Sequence, residues 1–309
     1  MTRSPRVIVI GARSARQGIG EFVAGWFASQ GAEVTAIIGT TPETVALAQA
    51  TLHERYAIDC RGYTDLDRAL AEESAEIVAI CSPHRLHAEQ LLAVARAGRH
   101  CLCEKPLCWP TPAGHDPIAE FIAAGRLLDV VTQWPCTQPT YFELHPDEVG
   151  AAVERFEMRL SPISAGLDMV PDAVPHFVSM LRSLIGPADP KIRTARFVDG
   201  DQRRLEIACE LGHARGRTRA TLHLETCPDR PRPAWYAING ARVDREIELG
   251  SYQQYFRAGA RRIPLPDPLG QLVQRFLADV AANRPTHPQA HYQDQKLLTM
   301  FSDALEEDP

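Results

Sequence analysis

The 309-residue sequence has no long apolar run and no excess of positive charge. Its formal net charge is -6 and its pI is near 6.0, whereas proteins that bind nucleic acid or anionic membranes carry clustered Lys and Arg. The start, "MTRSPRVIVIGA", offers only a short apolar run before Arg13, too short for a signal peptide or a membrane span. We therefore predict a cytoplasmic protein that binds neither nucleic acid nor membrane.

A disulfide framework and a zinc site are not indicated either. The eight cysteines are dispersed along a long chain, while disulfide frameworks belong mostly to short secreted domains. Cys101 and Cys103 form a C-x-C pair, which places both thiols on one face of a strand, and no second Cys/His pair with zinc spacing follows. We expect buried thiols and predict no metal site.

The chain does have enough apolar material for real cores, 45% of its residues, and enough length for two domains. Its first third alternates apolar strand patterns with helical patterns. The strand patterns are "RVIVIG", "AEVTAIIG", "AEIVAICSP", "HCLCEKP" and "LLDVVTQW". This alternation predicts a doubly wound parallel sheet with helices on both faces, in which ligands bind at the carboxyl ends of the strands.

The pattern changes near residue 135. Apolar and polar residues alternate in five segments, which is typical of an antiparallel sheet with one solvent-exposed face. The segments are "VERFEMRLSP", "IRTARFVDG", "QRRLEIACEL", "RTRATLHLET" and "AWYAINGARVDREIEL". "ING" predicts a hairpin turn, and one helix is expected between Pro171 and Leu184. We predict a Rossmann domain over residues 1–130 and an α+β domain with a large open, mainly antiparallel sheet over 131–309, whose terminal helices are able to pack back on the first domain.

Glycines frame the loop after the first predicted strand. Gly11 follows that strand, and Gly18 and Gly20 precede the first helix, as in a loop that lets backbone and helix N-terminus approach a pyrophosphate. The loop is longer than G-x-G-x-x-G, so an ordinary strand-to-helix loop is the alternative. No acidic residue directly follows the second strand, where Gly39, Thr40 and Thr41 stand within reach of loop arginines. This favours NADP, with NAD as the alternative if those arginines are merely solvated.

The segment "ICSPHRLHAEQLLAVARAGRHCLCEKPL" resembles the core signature of the Gfo/Idh/MocA oxidoreductases. The matching residues are Pro83, His87, Ala97, Gly98, His100, Glu104, Lys105 and Pro106. The resemblance implies hydride transfer between a nicotinamide and a carbinol or carbonyl carbon of a sugar, polyol or related compound. It also implies a homodimer or homotetramer formed through the second domain's sheet, and a Lys105–Pro106 bond that is often cis.

In that family a lysine hydrogen-bonds the reacting oxygen, and an Asp and a His four residues apart complete the site. The resemblance assigns these roles to Lys105, Asp172 and His176, although Val174 stands where the family usually has Gly and Pro175 is unusual. The chemistry is coherent, because an ammonium stabilises a developing negative charge and an imidazole held by a carboxylate can move the proton. The alternatives are a helix N-cap for Asp172 and a structural role for His176.

The predicted cofactor-binding residues come from the glycine loop and the strand ends: Gly11, Arg13, Ser14, Arg16, Gly18, Ile19, Gly39, Thr40, Thr41, Ser82, Pro83, His84, His87, Glu104 and Lys105. Gln133 and Trp134 are candidate substrate residues. They occupy a place where the family commonly has an arginine, which favours a neutral substrate. Trp134 either stacks on a substrate ring or belongs to the core.

We therefore predict an NAD(P)-dependent oxidoreductase acting on a small hydroxyl or carbonyl compound. One alternative is an NADPH-dependent reductase of C=N or C=C bonds in specialised metabolism. The other is a regulatory protein that binds NADP without turnover.

Overall fold

A computed structural model describes residues 4–13, 18–110, 114, 116–249 and 251–306. The chain divides into two compact units. Unit 1 comprises Met1–Val131 and Leu269–His291, and unit 2 comprises Thr132–Pro268 and Tyr292–Pro309. Within the described ranges, no helix is long and apolar enough to cross a membrane.

Unit 1 is built on a six-stranded parallel sheet, as predicted. Its elements are β1 (Arg6–Ile10), α1 (Gly20–Ser29), β2 (Glu33–Ile38), α2 (Pro42–Tyr56), β3 (Arg61–Tyr63), α3 (Leu66–Glu72), β4 (Ile77–Ile80), α4 (His87–Arg96), β5 (His100–Glu104), α5 (Pro117–Ala123) and β6 (Leu128–Val131). The strand order is β3-β2-β1-β4-β5-β6, and every neighbouring pair is parallel. The order reverses between β1 and β4, the place where dinucleotides bind in such sheets.

Burial explains which strands the sequence could reveal. β4 is buried at every position, because helices cover a doubly wound sheet on both faces. Edge strand β3 has three residues, of which only Tyr63 is buried, so it leaves no apolar run and was not predicted. At α2, Thr41 caps the helix, and Pro42 stands at the first helical position.

Unit 2 contains an eight-stranded, mainly antiparallel sheet. Its elements are α6 (Gln138–Leu144), β7 (Arg155–Leu160), α7 (Met169–Ile185), β8 (Ala188–Phe197), β9 (Arg204–His213), β10 (Gly216–Glu225), β11 (Ala234–Ile238), β12 (Ala241–Ile247), β13 (Gln254–Ala258) and β14 (Arg261–Leu265). The strand order is β14-β13-β12-β11-β7-β10-β9-β8, and only the pair β7–β10 is parallel. Asn239 and Gly240, both at positive φ, make the predicted two-residue turn between β11 and β12.

One face of this sheet is covered and the other is not. On β7, Phe156 and Met158 are completely buried, whereas Glu157 and Arg159 on the opposite face are partly accessible. Helix α7 covers the apolar face, where Phe177 stacks on Phe156 with ring centroids 5.8 Å apart. The final helices are α8 (Pro268–Ala281) and α9 (Pro288–Glu306).

Candidate active site

In the loop between β1 and α1, two glycines, Gly11 and Gly20, lie very close to neighbouring backbone atoms and together form what we call the glycine cradle. Gly11 has a φ of +76°, and a Cβ there would lie 2.8 Å from the carbonyl oxygen of Cys81 at the end of β4. A Cβ on Gly20, the first residue of α1, would overlap the carbonyl of Gly11. These are the close approaches for which a dinucleotide loop uses glycine, and a helix N-terminus with backbone N–H groups follows. The arrangement fits the pyrophosphate of a nicotinamide dinucleotide.

The other predicted residues of this loop are only partly covered by the structure. Gly18 and Ile19 are partly buried just before α1, and Arg13 is exposed. Ser14 and Arg16 lie outside the described residues. Ile19 occupies the N-cap position of α1, and its side chain makes no capping bond, so this helix start offers backbone donors rather than a capped end.

The residues that follow β2 make hydrogen bonds within the fold, to β3 and to the start of α2. The Gly39 N–H donates to the Tyr63 carbonyl at 3.0 Å, and Thr40 is exposed. The Thr41 hydroxyl accepts a 3.3 Å bond from the Thr44 N–H, so it already serves as the helix cap. An acidic residue does stand close by, in the first turn of α2: a hydrogen bond from Thr41 lowers the pKa of the exposed Glu43 carboxyl.

His87 has a different role from the predicted cofactor contact. Its side chain is fully buried, with Nδ1 2.9 Å from the Pro106 carbonyl oxygen and Nε2 2.8 Å from the Ser82 carbonyl oxygen. Burial lowers the pKa of this imidazole. His87 therefore joins the loop after β4 to the loop after β5, and its ring nitrogens face backbone rather than a cofactor. Pro83 is exposed and His84 is partly exposed on the first of these loops.

Lys105 leaves β5 at the carboxyl end of the parallel sheet. Cys101 and Cys103 are completely buried in the strand, and burial raises the pKa of both thiols well above the usual value. Glu104 and Lys105 are partly buried, and the Lys105–Pro106 bond is cis, in agreement with the resemblance. Across the described part of the chain, no three His, Cys, Asp or Glu side chains are grouped so that they could hold a metal ion.

Asp172 and His176 lie four residues apart in α7 and therefore on one face of the helix. The capping interpretation of Asp172 is wrong, because α7 begins at Met169 and Asp172 lies within its first turn. The Ser164 hydroxyl donates a 2.8 Å bond to Asp172 Oδ2, which orients the carboxylate. Both Asp172 and His176 are partly buried.

Gln133 and Trp134 are not at the end of a strand, because β6 stops at Val131 and a short 3-10 helix follows from Trp134 to Thr137. Trp134 is only 4% exposed and packs edge-on against Tyr236 at 6.2 Å. It therefore belongs to the core of unit 2 and does not offer a free face to a substrate ring. Gln133 is partly buried beside it.

A positively charged side chain does lie beside Trp134, although it comes from a different part of the chain. The guanidinium of Arg245, on β12, lies 5.0 Å from the centroid of the Trp134 ring. The sequence did carry a signal for this residue, because Arg245 follows Val243 in the inward-facing phase of the strand pattern "ARVDREI". The signal was missed because the distance from Trp134 along the chain is long.

Unit 1 combines a doubly wound parallel sheet with close-packed glycines after β1 and a partly buried lysine directly after β5. Residues 5–131 match the model of the Gfo/Idh/MocA family, described as an oxidoreductase family with an NAD-binding Rossmann fold. The match covers residues 5–131 of the 309-residue chain, so the similarity to this family concerns the Rossmann domain.

Two curated oxidoreductases are similar to part of the chain. A 4-carboxy-2-hydroxymuconate-6-semialdehyde dehydrogenase from Sphingobium sp. is 38% identical over 77 residues, which are 25% of this chain and 23% of the relative. A 1,5-anhydro-D-fructose reductase from Ensifer adhaerens is 32% identical over 108 residues, 35% of this chain and 31% of the relative. The matches thus span less than a third of these relatives.

The fold is shared over the full length with solved structures. A UDP-N-acetylglucosamine 3-dehydrogenase from Acidithiobacillus ferrooxidans superposes with a TM-score of 0.73 at 20% identity, covering 99% of each chain. At this identity the likeness concerns the fold alone.

Proposed function

We propose that the protein is an NAD(P)-dependent oxidoreductase that interconverts a hydroxyl and a carbonyl group on a small molecule. The observation that carries the proposal is Lys105, which emerges partly buried from β5 of a sheet whose β1–α1 loop is a glycine cradle. Lysine is rarely buried without a purpose, and here it stands at the ligand-binding end of the strands.

Each side chain has one proposed role. Lys105 hydrogen-bonds the reacting oxygen and stabilises the negative charge that develops on it. His176 takes the hydroxyl proton during oxidation and returns it during reduction, and Asp172 orients the imidazole. Gly11, Gly20 and the start of α1 bind the pyrophosphate. The bound nicotinamide supplies the hydride acceptor or donor.

NADP is the proposed preferred cofactor. The support is the run Gly39, Thr40, Thr41 after β2, which offers amides and hydroxyls to a 2′-phosphate, and the exposed Arg13. The Glu43 charge opposes it. Michaelis constants for both cofactors decide the matter, and a clear preference for NAD overturns this part of the proposal.

A homodimer or homotetramer through the unit 2 sheet is also proposed. The support is the face of the sheet opposite α7, where Glu157, Arg159 and Trp235 remain partly accessible. Sedimentation of a monomer at micromolar concentration contradicts it. The cytoplasmic location predicted from the sequence stays a prediction.

The test of the proposed activity is a turnover assay that follows the nicotinamide. The panel contains polyols, sugars, hydroxy acids, ketones and cyclic imines, because the relatives' names include both an anhydrosugar reductase and a dehydrogenase of a carboxylated semialdehyde. We expect Lys105→Met to lose turnover by roughly a hundredfold or more while still binding cofactor.

Lys191→Met provides the matched control, since the chain has only three lysines and Lys191 is exposed on β8. Its turnover should equal that of the wild type. Undiminished turnover by Lys105→Met refutes the role given to Lys105. Cofactor binding without turnover on any compound supports the regulatory alternative, and turnover restricted to imines supports the C=N alternative.

A further inference from the structure

Arg245 is an arginine in an inward-facing position of a sheet. It lies on β12 in register with Ala234 of β11 and Phe256 of β13, and both of these neighbours are buried on the apolar face. Its guanidinium covers the ring of Trp134 at 5.0 Å, and its Nε is shielded from solvent without a hydrogen-bond partner. Burial, followed by the charge of Arg232, lowers the pKa of Arg245 to about 10.

The charge of Arg245 is not balanced by an acid. Among the residues that the structure describes, no carboxylate pairs with Arg245, and its one hydrogen bond is a long one, from Nη2 to the Arg232 carbonyl at 3.5 Å. The neighbouring carboxylates are engaged elsewhere: Asp244 pairs with Arg242, and Glu246 pairs with two other arginines. A guanidinium has five N–H donors, and Arg245 is partly buried, so its charge is costly without a counter-charge.

A second arginine adds to the positive charge. The Nε of Arg232 donates a 3.1 Å bond to the Cys227 carbonyl, and the charge of Arg232 acts on Arg245. Two neighbouring guanidinium groups disfavour each other, and a carboxylate relieves this repulsion while accepting two parallel N–H bonds.

Arg245 is connected to Asp172 within unit 2 by a series of hydrogen bonds. The Cys227 N–H donates to the Pro162 carbonyl at 2.8 Å, and the neighbouring Thr226 hydroxyl donates to the Ser164 carbonyl at 2.8 Å. Ser164 in turn donates to Asp172. The same two loops therefore position Arg232 beside Arg245 at one end and Asp172 at the other.

We infer that Arg245, assisted by Arg232, binds a carboxylate group of the substrate. The inference rests on the proposed function for the statement that the carboxylate belongs to the molecule that is oxidised or reduced. It replaces the expectation of a neutral substrate, which assumed that no cation stood beside Trp134. The substrate class is a hydroxy or carbonyl acid, such as a uronate or a hydroxy acid.

The experiment compares Arg245→Met with wild type in the presence of saturating NADP. Calorimetry measures binding of galacturonate, of uncharged galactose and of inorganic phosphate. We expect galacturonate to bind wild type and to lose roughly 10- to 150-fold in affinity in Arg245→Met, the range for hydrogen bonds to a charged group. Arg245→Lys should recover part of the lost affinity, because the lysine ammonium keeps the positive charge but cannot donate two parallel N–H bonds to a carboxylate.

Arg242→Met is the matched control. Arg242 also covers a tryptophan, Trp235, at 4.2 Å, but it is exposed and already pairs with Asp244. Its loss should leave galacturonate binding unchanged. Equal binding of galacturonate and galactose by wild type, or an equal effect of both variants, overturns the inference, as does binding of phosphate alone.

Melting curves supply a readout that needs neither activity nor ligand. A partly buried charge without a counter-charge predicts that Arg245→Met melts at the same or a higher temperature than wild type without ligand, and that galacturonate raises the melting temperature of wild type only. A variant that fails to fold shows that Arg245 is structural and overturns the inference. Carboxylate binding that depends on Arg245, without turnover of any acid, supports this site while refuting the proposed activity.

Discussion

Replacing Gly11 by alanine tests the cradle of unit 1. The residue has a φ of +76°, which costs an alanine about 1–2 kcal/mol. The new methyl group would also lie 2.8 Å from the Cys81 carbonyl oxygen. That backbone cannot retreat easily, because the Cys81 N–H donates to the Ile10 carbonyl at 2.9 Å. Overpacking of this kind costs about 1–3 kcal/mol more, so the free energy of unfolding should fall by about 2–5 kcal/mol in total.

Gly31→Ala separates crowding from backbone strain. Gly31 has a similar φ of +84°, but a Cβ there would meet nothing within 4 Å. Its replacement should cost about 1–2 kcal/mol and leave cofactor affinity unchanged. Denaturant unfolding and cofactor titration of both variants give the comparison, with a rise of roughly tenfold or more in the dissociation constant expected for Gly11→Ala alone. Equal stability and equal cofactor affinity of the two variants would refute the cradle.

Three further outcomes follow from the contacts of His87, Asn239 and Ser164. Burial lowers the pKa of His87, so the unfolded chain takes up a proton at a higher pH than the folded chain does. The free energy of unfolding should therefore fall as the pH drops from about 6.5 toward the lower folded-state pKa. His87→Gln should reduce this pH dependence, which denaturant unfolding at several pH values measures. Asn239→Ala loses side-chain bonds to the Glu154 and Arg155 N–H groups and should cost about 2–4 kcal/mol, against about 1 kcal/mol for Asn283→Ala at a similar φ; equal costs contradict the role of these bonds. Ser164→Ala should lower kcat by roughly 5- to 15-fold without changing the melting temperature, and an unchanged kcat removes Ser164 from the site.

Much of the fold could be predicted because its signals are local. The buried strands of unit 1 are continuous apolar runs, and the strands around the Asn239–Gly240 turn alternate with period two. β13 and β14 were not predicted, because exposed arginines interrupt them and their pairing depends on partners elsewhere in the sheet. The pattern also placed the start of α7 two residues late, since Pro171 is compatible with a first helical position.

The candidate site was less predictable where its contacts are long-range. Gly11 and Lys105 stand in motifs that can be read along the chain. The burial of His87 between two carbonyls depends on how two loops meet, and the cation over Trp134 depends on sheet register. An arginine in the apolar phase of a strand, as at Arg245, is the one local sign that such a contact exists.

Transfer of deuterium from a deuterated reduced nicotinamide to the product is the most direct test of the proposed activity. The enzyme is supplied with the labelled cofactor and with each carbonyl compound of the panel, and mass spectrometry locates the label. We predict deuterium on the former carbonyl carbon of at least one product, with Lys105→Met transferring it roughly a hundredfold more slowly. Binding of the labelled cofactor with no deuterium transferred to any compound would contradict the account.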